Sequence, residues 1–394
     1  MIFTTQRIKT TALSAFTAVI LLCSCSDIPR GSPEATSRIA AAEATNRVET
    51  LLRERAQHHA VTAASITVIS PDVASASYFI GTANESGLMQ AASLSKAVAA
   101  AGILTLMERE GLSIDADIRD RFTSIDIQQL RGDKPLTVRE LLSHTGGATQ
   151  GGYPGYRRGK PLPASAAIVT DPPHRLVSAV ELSLPKGEFH YSGGGYQIAQ
   201  VLAEDISGQP FAELMEALVF DPLGMTASTF AQPIDPDSVA PLTIIPADSG
   251  ARLSEGLFRP LREDWLDYPE QAAAGLWTTS ADYARFVDAV LDAAAGRPSR
   301  VSPTVANAML RPVAAMSPDA DSPSYGLGLM LRVDTDGTVT SISHSGLNAG
   351  YRALFEADPQ SERIVVSLTN APGGTAFNRE AVDGLLRHEA LTQP

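Results

Sequence analysis

The tetrad Ser93-Leu94-Ser95-Lys96 combines a hydroxyl and an amine at a spacing that suits nucleophilic chemistry. It opens an apolar run, 97–107, which predicts a helix that is buried on nearly every face. Residues three apart on a helix face the same way, so we expect the Ser93 hydroxyl and the Lys96 amine to meet. A buried ammonium is costly unless it is paired or its pKa falls. A hydroxyl beside such an amine, at a helix end with free N–H groups, indicates an activated serine.

A second copy of the spacing, Ser183-Leu184-Pro185-Lys186, shows that the pattern alone is weak. Its internal proline and the following Gly187 predict a loop with no helix to align the two side chains. For the first copy, the alternative is a serine that caps a helix while its lysine reaches solvent.

Two short polar motifs supply candidates for the help that a serine nucleophile needs, namely a base and donors for a developing oxyanion. Tyr191-Ser192-Gly193 follows a turn, and His344-Ser345-Gly346 stands at the end of a predicted strand. Each motif alone is weak.

The helices and strands that must position these residues can be predicted from the apolar pattern of the sequence. Alternating apolar runs predict strands over 65–70, 74–80, 329–333, 339–343, 351–357 and 363–369. Helical patterns predict helices near 34–55, 138–143, 196–206, 211–218 and 380–391, with capping boxes at Thr137-Glu140 and Thr279-Asp282. Hairpins at both ends of the chain indicate one shared sheet. We predict an α/β (α+β) fold: an antiparallel sheet flanked by helices, with an inserted mainly helical lobe and a cleft where the two lobes meet.

Composition limits the function. The chain has 394 residues, 44% hydrophobic, with a net charge of -13. Residues 1–24 carry only Arg7 and Lys9 as charges, so the remainder has -13 - 2 = -15. This large negative charge disfavours nucleic acid as a partner, because nucleic acid is also negatively charged.

The N-terminus reads as an export signal, with Arg7 and Lys9 before a short apolar stretch at 12–22. Leu22-Cys23-Ser24-Cys25 resembles a bacterial lipobox, in which Cys25 becomes the lipidated first residue; an ordinary secretory signal is the alternative. We therefore expect a signal peptide at 1–24, a tether at 25–45 and a hydrolase domain at 46–390. The location would be periplasmic, with a lipid anchor in a membrane, the outer one favoured. Both cysteines lie in this segment, so the rest of the chain has no disulfide or cysteine nucleophile.

Taken together, the motifs resemble those of the serine β-lactamase and penicillin-binding-protein superfamily, and most of all the class C β-lactamase-related esterases and D-aminopeptidases. The resemblance spans roughly 47–388 and rests on further segments in the family's order: 136–147, 222–225, 274–280 and 325–329. It implies a β-lactamase/transpeptidase-like fold and a serine hydrolase that works through an acyl-enzyme without a cofactor.

The resemblance also implies residue roles. Ser93 would be the nucleophile, Lys96 the residue that tunes it and Tyr191 the general base, although Lys96 remains the alternative base. The backbone N–H groups of Ser93 and Leu347 would form the oxyanion hole. Residues of the second and third motifs would bind the substrate: Gly193, His344, Ser345 and Gly346.

Two departures from the family pattern bear on specificity. The second motif usually ends in Asn and here ends in Gly193, and the third usually begins with Lys in β-lactamases and here begins with His344. Histidine is mostly neutral near pH 7, so a fixed cation for a substrate carboxylate is missing. We therefore expect an ester or peptide substrate, in which D-amino acids are an option.

The alternatives are a true β-lactamase or DD-carboxypeptidase and, from another class, a non-catalytic binding protein of the cell envelope. No His-Glu-x-x-His motif supports a metal site. His144 is expected to brace a loop rather than to react, and the oligomeric state is left open.

Overall fold

The computed structural model describes residues 33–71, 73–131, 134–248, 252–254, 257–261, 263–319 and 321–387. The chain divides into two compact units, Met1–Thr45 and Asn46–Pro394. In the first unit only the helical residues 33–45 are described. The predicted export signal and Cys25 lie outside the described residues.

The main sheet joins the two ends of the second unit. Its eight strands run antiparallel in the order β11-β12-β13-β14-β15-β16-β1-β2. Their bounds are β1 Ala63–Ser70, β2 Val73–Gly81, β11 Ala314–Ala315, β12 Ser324–Tyr325, β13 Met330–Val333, β14 Val339–Asn348, β15 Tyr351–Asp358 and β16 Arg363–Thr369. Thus β1, near the start of the unit, pairs with β16, near its end, as the two sets of hairpins predict.

Smaller strands lie between β2 and β11. Their bounds are β3 Gly87–Gln90, β4 Tyr156–Arg157, β5 Ser228–Thr229, β6 Thr243–Ile244, β7 Arg252–Ser254, β8 Leu257–Pro260, β9 Leu266–Asp267 and β10 Trp277–Thr278. They form a four-stranded sheet of order β5-β10-β3-β6 and the pairs β4-β9 and β7-β8.

Helices cover both faces of the main sheet and fill the inserted region. Their bounds are α1 Pro33–His58, α2 Ser95–Arg109, α3 Val138–Leu142, α4 Ser165–Thr170, α5 Gly193–Ser207, α6 Phe211–Met215, α7 Asp221–Leu223, α8 Gln271–Ala274, α9 Ser280–Ala294, α10 Pro303–Leu310 and α11 Gly374–Leu386. On one face, α11 packs on β15 and β16. On the other, α9 packs on β16 and β1.

The apolar run predicted to be buried is the central helix α2. Twelve of its residues are buried, including Lys96, and it packs against α5, α8 and α10. Gly102 permits a further contact, with α6, because an added Cβ atom would lie 2.3 Å from the Met215 sulfur. The prediction of a helix buried on nearly every face is confirmed.

Helix starts follow the capping predictions, with one difference. Thr137 and Glu140 form a complete capping box at α3. At α9, the Thr279 side chain accepts a hydrogen bond from the Asp282 N–H group, whereas the Asp282 carboxylate accepts from the backbone N–H of Ala227. The second box is therefore only half formed, because its acid holds a neighbouring loop.

The last helix begins earlier than predicted, at Gly374 rather than near Glu380. Its start is tightly packed, since a Cβ atom at Gly374 would lie 1.8 Å from Thr369 Oγ1. Phe377 then enters the core. The Pro372-Gly373-Gly374 sequence, which is typical of a loop, concealed this start. A second difference is that the helix predicted over 211–218 ends at Met215 and continues as a π-helix, Glu216–Phe220.

Two features are absent from the described residues. Among them, no helix is both long enough and apolar enough to span a membrane. Within the same ranges, no group of three or more His, Cys, Asp or Glu side chains is arranged to hold a metal ion.

Candidate active site

Ser93 lies in a single 3₁₀ turn, Ala92–Leu94, immediately before α2. Ala92 has a left-handed backbone with φ of +51° and no exposed surface. A non-glycine residue in this conformation costs on the order of 1–3 kcal/mol, and its neighbours must hold it there. The strain is therefore located directly before the candidate nucleophile, a detail that the helical pattern did not predict.

Ser95, the middle hydroxyl of the tetrad, holds this turn in place. Its Oγ atom donates to the backbone oxygen of Ala92 and accepts from the backbone N–H of Leu276 at 3.0 Å. Ala91 is tied to the same segment, because its N–H donates to the Leu276 oxygen at 2.9 Å. Ser95 thus has a structural role, which leaves Ser93 as the hydroxyl of the tetrad that is free to react.

Lys96 is buried, with 2% of its surface exposed, and its amine points back to the serine. The Nζ atom donates to Ser93 Oγ at 3.1 Å and to the backbone oxygen of Ala273, in α8, at 2.7 Å. The structure therefore brings together the hydroxyl and the amine, as predicted from the spacing. Ala273 was not predicted, because no sequence pattern shows which carbonyl will face a buried amine.

Tyr191 approaches the same amine from the loop before α5. The Lys96 Nζ atom lies 4.9 Å from the centre of the Tyr191 ring and 5.5 Å from that of Tyr196. The two rings differ in their hydroxyl groups: the Tyr196 hydroxyl donates to the Leu142 backbone oxygen at 2.7 Å. No hydrogen bond within the described ranges engages the Tyr191 hydroxyl, so it is the phenol of the two that remains available.

His144 fixes the backbone that follows Tyr191. Its Nδ1 atom accepts from the Ser192 N–H group at 3.0 Å, and its ring centre lies 4.4 Å from that of Tyr191. Burial, the Lys96 charge and His344 lower the pKa of His144 well below its ordinary value, so the ring is neutral. Ser192 in turn caps α5, because its Oγ atom accepts from the Gly195 N–H group. His144 braces the loop, in agreement with the expectation from its motif.

The third motif lies within a strand rather than after one. Strand β14 continues through Asn348, where it pairs with Tyr351, so the prediction that it ends at residue 343 is wrong. Side chains of a strand alternate between faces. His344, Gly346 and Asn348 are buried on one face, whereas Ser345 and Leu347 are exposed on the other.

Gly346 lets this strand approach the nucleophile turn closely. A Cβ atom at this position would lie 2.4 Å from the Ala91 backbone oxygen and 3.1 Å from the Ala92 side chain. Position 346 therefore has no room for a larger residue. The neighbouring Leu347 has 52% of its surface exposed. Its N–H group, together with that of Ser93, stays a prediction as the oxyanion hole.

His344 is a neutral ring inside the protein, with 1% of its surface exposed. Its Nδ1–H group donates to the Ser345 oxygen at 2.8 Å, which leaves Nε2 to accept from the Tyr325 hydroxyl at 3.0 Å. Burial and the Lys96 charge lower its pKa to about 3. Both nitrogens are thus occupied by protein, and direct contact of His344 with a substrate remains a prediction. Tyr325 was missed as a partner, although the Tyr325-Gly-Leu-Gly-Leu329 segment marked its neighbourhood.

Gly193, which stands where the family's second motif usually ends in Asn, faces an aromatic ring. A Cβ atom there would lie 3.0 Å from Cε2 of Tyr153 and 3.2 Å from the Gly151 oxygen. The Tyr153 ring therefore fills the space that the usual Asn side chain would need. A role for Gly193 in substrate binding stays a prediction.

The second Ser-x-x-Lys copy forms no comparable site. Lys186 pairs with the Glu140 carboxylate at 2.9 Å and donates to the Pro135 backbone oxygen. Ser183 Oγ donates to the Glu181 carboxylate at 3.2 Å. Its serine and lysine each engage another residue, as the loop prediction implies.

Comparisons with known proteins agree with this geometry. The family profile described as Beta-lactamase matches residues 48–388. The chain is 26% identical to esterase EstB of Burkholderia gladioli over 292 residues, which are 66% of this chain and 71% of the relative. It is 24% identical to penicillin-binding protein 4 of Amycolatopsis lactamdurans over 341 residues, 82% of this chain and 84% of that one. The fold is similar to that of D-amino acid amidase from Ochrobactrum anthropi SV3 in complex with D-phenylalanine, with a TM-score of 0.67 and 20% identity over 89% of this chain and 100% of that one.

Proposed function

This chain belongs to the Beta-lactamase family and is a serine hydrolase, and from that premise we propose that Ser93 is acylated by an ester or amide substrate. The observation that carries the proposal is the 3.1 Å hydrogen bond from the buried Lys96 amine to Ser93 Oγ. A merely capping serine with a solvated lysine would not show it. The same contact disfavours a binding protein that has lost its activity.

The contacts around Lys96 suggest separate roles for Lys96 and Tyr191. In its ammonium form the amine, 3.1 Å from Ser93 Oγ, would stabilise negative charge on that oxygen. The base is then Tyr191 in its phenolate form, with its ring centre 4.9 Å from the same amine. Lys96 is the alternative base in its neutral form.

The proposed reaction has two halves. The Ser93 oxygen attacks the substrate carbonyl while its proton passes to the Tyr191 phenolate, and the N–H groups of Ser93 and Leu347 hold the oxyanion. The proton then passes to the leaving alcohol or amine as the ester or amide bond breaks. Water next attacks the acyl-enzyme and gives a proton to the same base. The base passes this proton to the Ser93 oxygen as the acyl–oxygen bond breaks, which releases the carboxylic acid and restores the Ser93 hydroxyl and the Tyr191 phenolate.

Among substrates of the family, we propose that esters or peptides are preferred over β-lactams. His344 is neutral and bonded on both nitrogens, so it offers no cation to the carboxylate of a β-lactam. Tyr153 occupies the space next to Gly193, where a carboxamide would bind the substrate amide. The relatives include an esterase and a penicillin-binding protein, which agrees with either an ester or a peptide. Efficient hydrolysis of nitrocefin by the purified protein would contradict this order.

Active-site labelling tests the proposal. A fluorophosphonate probe should label the wild type and Ser183→Ala equally and should not label Ser93→Ala. Ser183→Ala is the matched control, because it removes the serine of the other tetrad. Equal labelling of Ser93→Ala would refute the assignment. A fluorescent penicillin, tested in parallel, should label more weakly than the phosphonate.

We also propose that the protein is exported and anchored by a lipid on Cys25. The charged start, the short apolar stretch and the lipobox-like 22–25 segment support this. Cell fractionation should place the wild type with membranes and Cys25→Ala in the soluble periplasmic fraction. If Cys25→Ala still partitions wholly with membranes, the anchor is not this lipid.

A further inference from the structure

Asn348 and Gln90 are two buried carboxamides that are hydrogen-bonded to each other. The Asn348 Nδ2 atom donates to Gln90 Oε1 at 2.8 Å and to the backbone oxygen of Ala274 at 3.0 Å. Gln90 Nε2 donates in turn to the backbone oxygen of Leu266 at 2.7 Å. Asn348 has 3% of its surface exposed and Gln90 has 1%. The pair therefore joins four segments of the chain inside the protein, namely β14, β3, α8 and β9.

On the side of Asn348, the contacts of the pair lie one residue from two groups of the proposed reaction. Asn348 directly follows Leu347, whose N–H group is one of the two proposed oxyanion donors. Ala274 directly follows Ala273, whose oxygen accepts the Lys96 amine at 2.7 Å. The 3.0 Å bond from Asn348 to the Ala274 oxygen therefore connects the strand of the oxyanion donor to the helix that holds the amine.

On the side of Gln90, the pair is connected to the turn that holds Ser93. Gln90 is the last residue of β3 and lies three residues before Ser93. The residue between β3 and the turn, Ala91, donates its N–H group to the Leu276 oxygen at 2.9 Å. Strand β14 meets this segment at a second point, because a Cβ atom added at Gly346 would lie 2.4 Å from the Ala91 oxygen. Two contacts thus fix β14 relative to the turn.

We propose that Asn348 and Gln90 are positioning residues for the acyl transfer. They hold the Leu347 N–H group of β14, the turn before α2 and the carbonyl group of α8 that accepts the lysine amine at fixed positions relative to one another. A carboxamide suits this role because it carries donors and an acceptor in one plane and adds no charge near the amine. A buried network with its partners in place is rigid. This inference rests on the proposed function, because it concerns groups of the same site.

Loss of the pair should slow the chemical step more than it weakens substrate binding. The oxyanion forms only during the reaction, so the position of its donors affects the rate rather than the affinity for the substrate. A displacement of about 1 Å at an active site can cost about 10²-fold in rate. We therefore expect losses of about 10- to 100-fold when either carboxamide is replaced.

Stopped-flow acylation with p-nitrophenyl butyrate measures the acylation rate constant and the dissociation constant of the substrate separately. Asn348→Leu and Gln90→Met keep the approximate size of each side chain and remove its hydrogen bonds. In both variants the acylation rate constant should fall about 10- to 100-fold, while the dissociation constant stays within about 3-fold of that of the wild type. The double variant should be no more than about 3-fold slower than the slower single variant, because both changes break the same contact.

Asn378→Leu is the matched control. Asn378 is a carboxamide with 1% of its surface exposed, and its Oδ1 atom accepts from the Ser367 hydroxyl at 2.8 Å. It lies in α11, which packs on β15 and β16. Asn378→Leu should lower the melting temperature, because it removes a buried hydrogen bond, and should acylate within about 2-fold of the wild type. This variant separates positioning of the site from a general loss of stability.

Two results would overturn the inference. One is acylation within about 2-fold of the wild type by both Asn348→Leu and Gln90→Met, and the other is an equal loss of rate in Asn378→Leu. If Asn348→Leu does not fold, Gln90→Met decides, since it leaves the Asn348 bond to Ala274 in place. In either case, a burst of p-nitrophenol from the wild type that is absent in Ser93→Ala would still support the serine hydrolase. If the wild type gives no such burst, the proposed function fails and this inference fails with it.

Discussion

The two Ser-x-x-Lys tetrads show how little a spacing determines by itself. In the first, the turn before α2 and the burial of Lys96 place an amine 3.1 Å from a hydroxyl. In the second, Pro185 keeps the chain in a loop, and Lys186 binds Glu140 instead. The difference lies in the surroundings. A buried helix leaves the amine few partners other than Ser93, whereas a half-exposed loop offers a carboxylate.

Removal of the two serines should give the largest contrast. Ser93→Ala should lower kcat/KM for a p-nitrophenyl ester by at least about 10⁴-fold, because no acyl-enzyme forms. Ser183→Ala should stay within about 2-fold of the wild type, as expected for a hydroxyl outside the site. Steady-state kinetics on both variants checks this, and comparable losses would show that the tetrads are not distinct.

Removal of the two lysines should give the next largest contrast. Lys96→Met should cost about 10²- to 10⁴-fold in kcat/KM, because the Ser93 oxygen loses its charged donor. Lys186→Met should leave kcat/KM unchanged and lower the free energy of unfolding by no more than about 1 kcal/mol, the range for a partly exposed ion pair. Kinetics and urea denaturation measure the two effects. A large kinetic loss in Lys186→Met would contradict the comparison.

Tyr191→Phe tests whether Tyr191 is the general base at the Ser93 site. With the ring retained and the hydroxyl lost, the acylation rate should fall about 10²-fold while the melting temperature stays near that of the wild type. Tyr196→Phe is not a neutral control, since the Tyr196 hydroxyl holds the Leu142 oxygen. Stopped-flow acylation with a chromogenic ester measures the effect, and unchanged rates would leave Lys96 as the base.

The pH dependence of stability tests whether the His344 ring, next to the Ser93 site, is shielded from water. His344 has a folded pKa of about 3 against about 6.5 when unfolded, so the unfolded state takes up more protons as the pH falls from 7. The contribution of His344 to the free energy of unfolding is fully present above pH 6.5. It is lost progressively as the pH falls from 6.5 toward 3. Burial raises the pKa of the Glu270 carboxyl group to about 8, so this group acts in the opposite direction and the comparison must be a difference between variants.

Denaturation of the wild type and His344→Asn at pH 7 and pH 5 isolates the histidine. The advantage of the wild type should shrink by about 2 kcal/mol between these values, as linkage gives for one such group. A pH-independent difference between the two proteins would mean that the ring is accessible to water in the folded state.

Much of the fold was predictable because local patterns and core packing agree. The apolar run became α2, and the strand pattern of both chain ends became neighbouring strands. The start of α11 was not predictable, since a contact with Thr369 rather than a local signal decides it. The half-formed box at Asp282 has the same cause, because its carboxylate accepts from Ala227, which is distant in sequence but adjacent in space.

Only those parts of the site that lie on helix α2 or in the family's motifs were predictable from the sequence. The spacing gave the Ser93 and Lys96 contact. It gave no sign of the left-handed Ala92, the Ala273 oxygen or the contact between Asn348 and Gln90, because each depends on which distant segments meet. The roles of Tyr191 and Leu347 stay predictions for the variants above to test.

The close approach of Gly346 to Ala91 sets a rule for engineering this protein. We expect most variants at position 346 to be inactive. Any side chain there would push strand β14 away from the turn that holds Ser93. Leu347 and Ser345 are exposed on the other face of the same strand, so we expect these positions to accept other side chains. Substrate scope is therefore best altered at alternate residues, which leaves the scaffold of the reaction untouched.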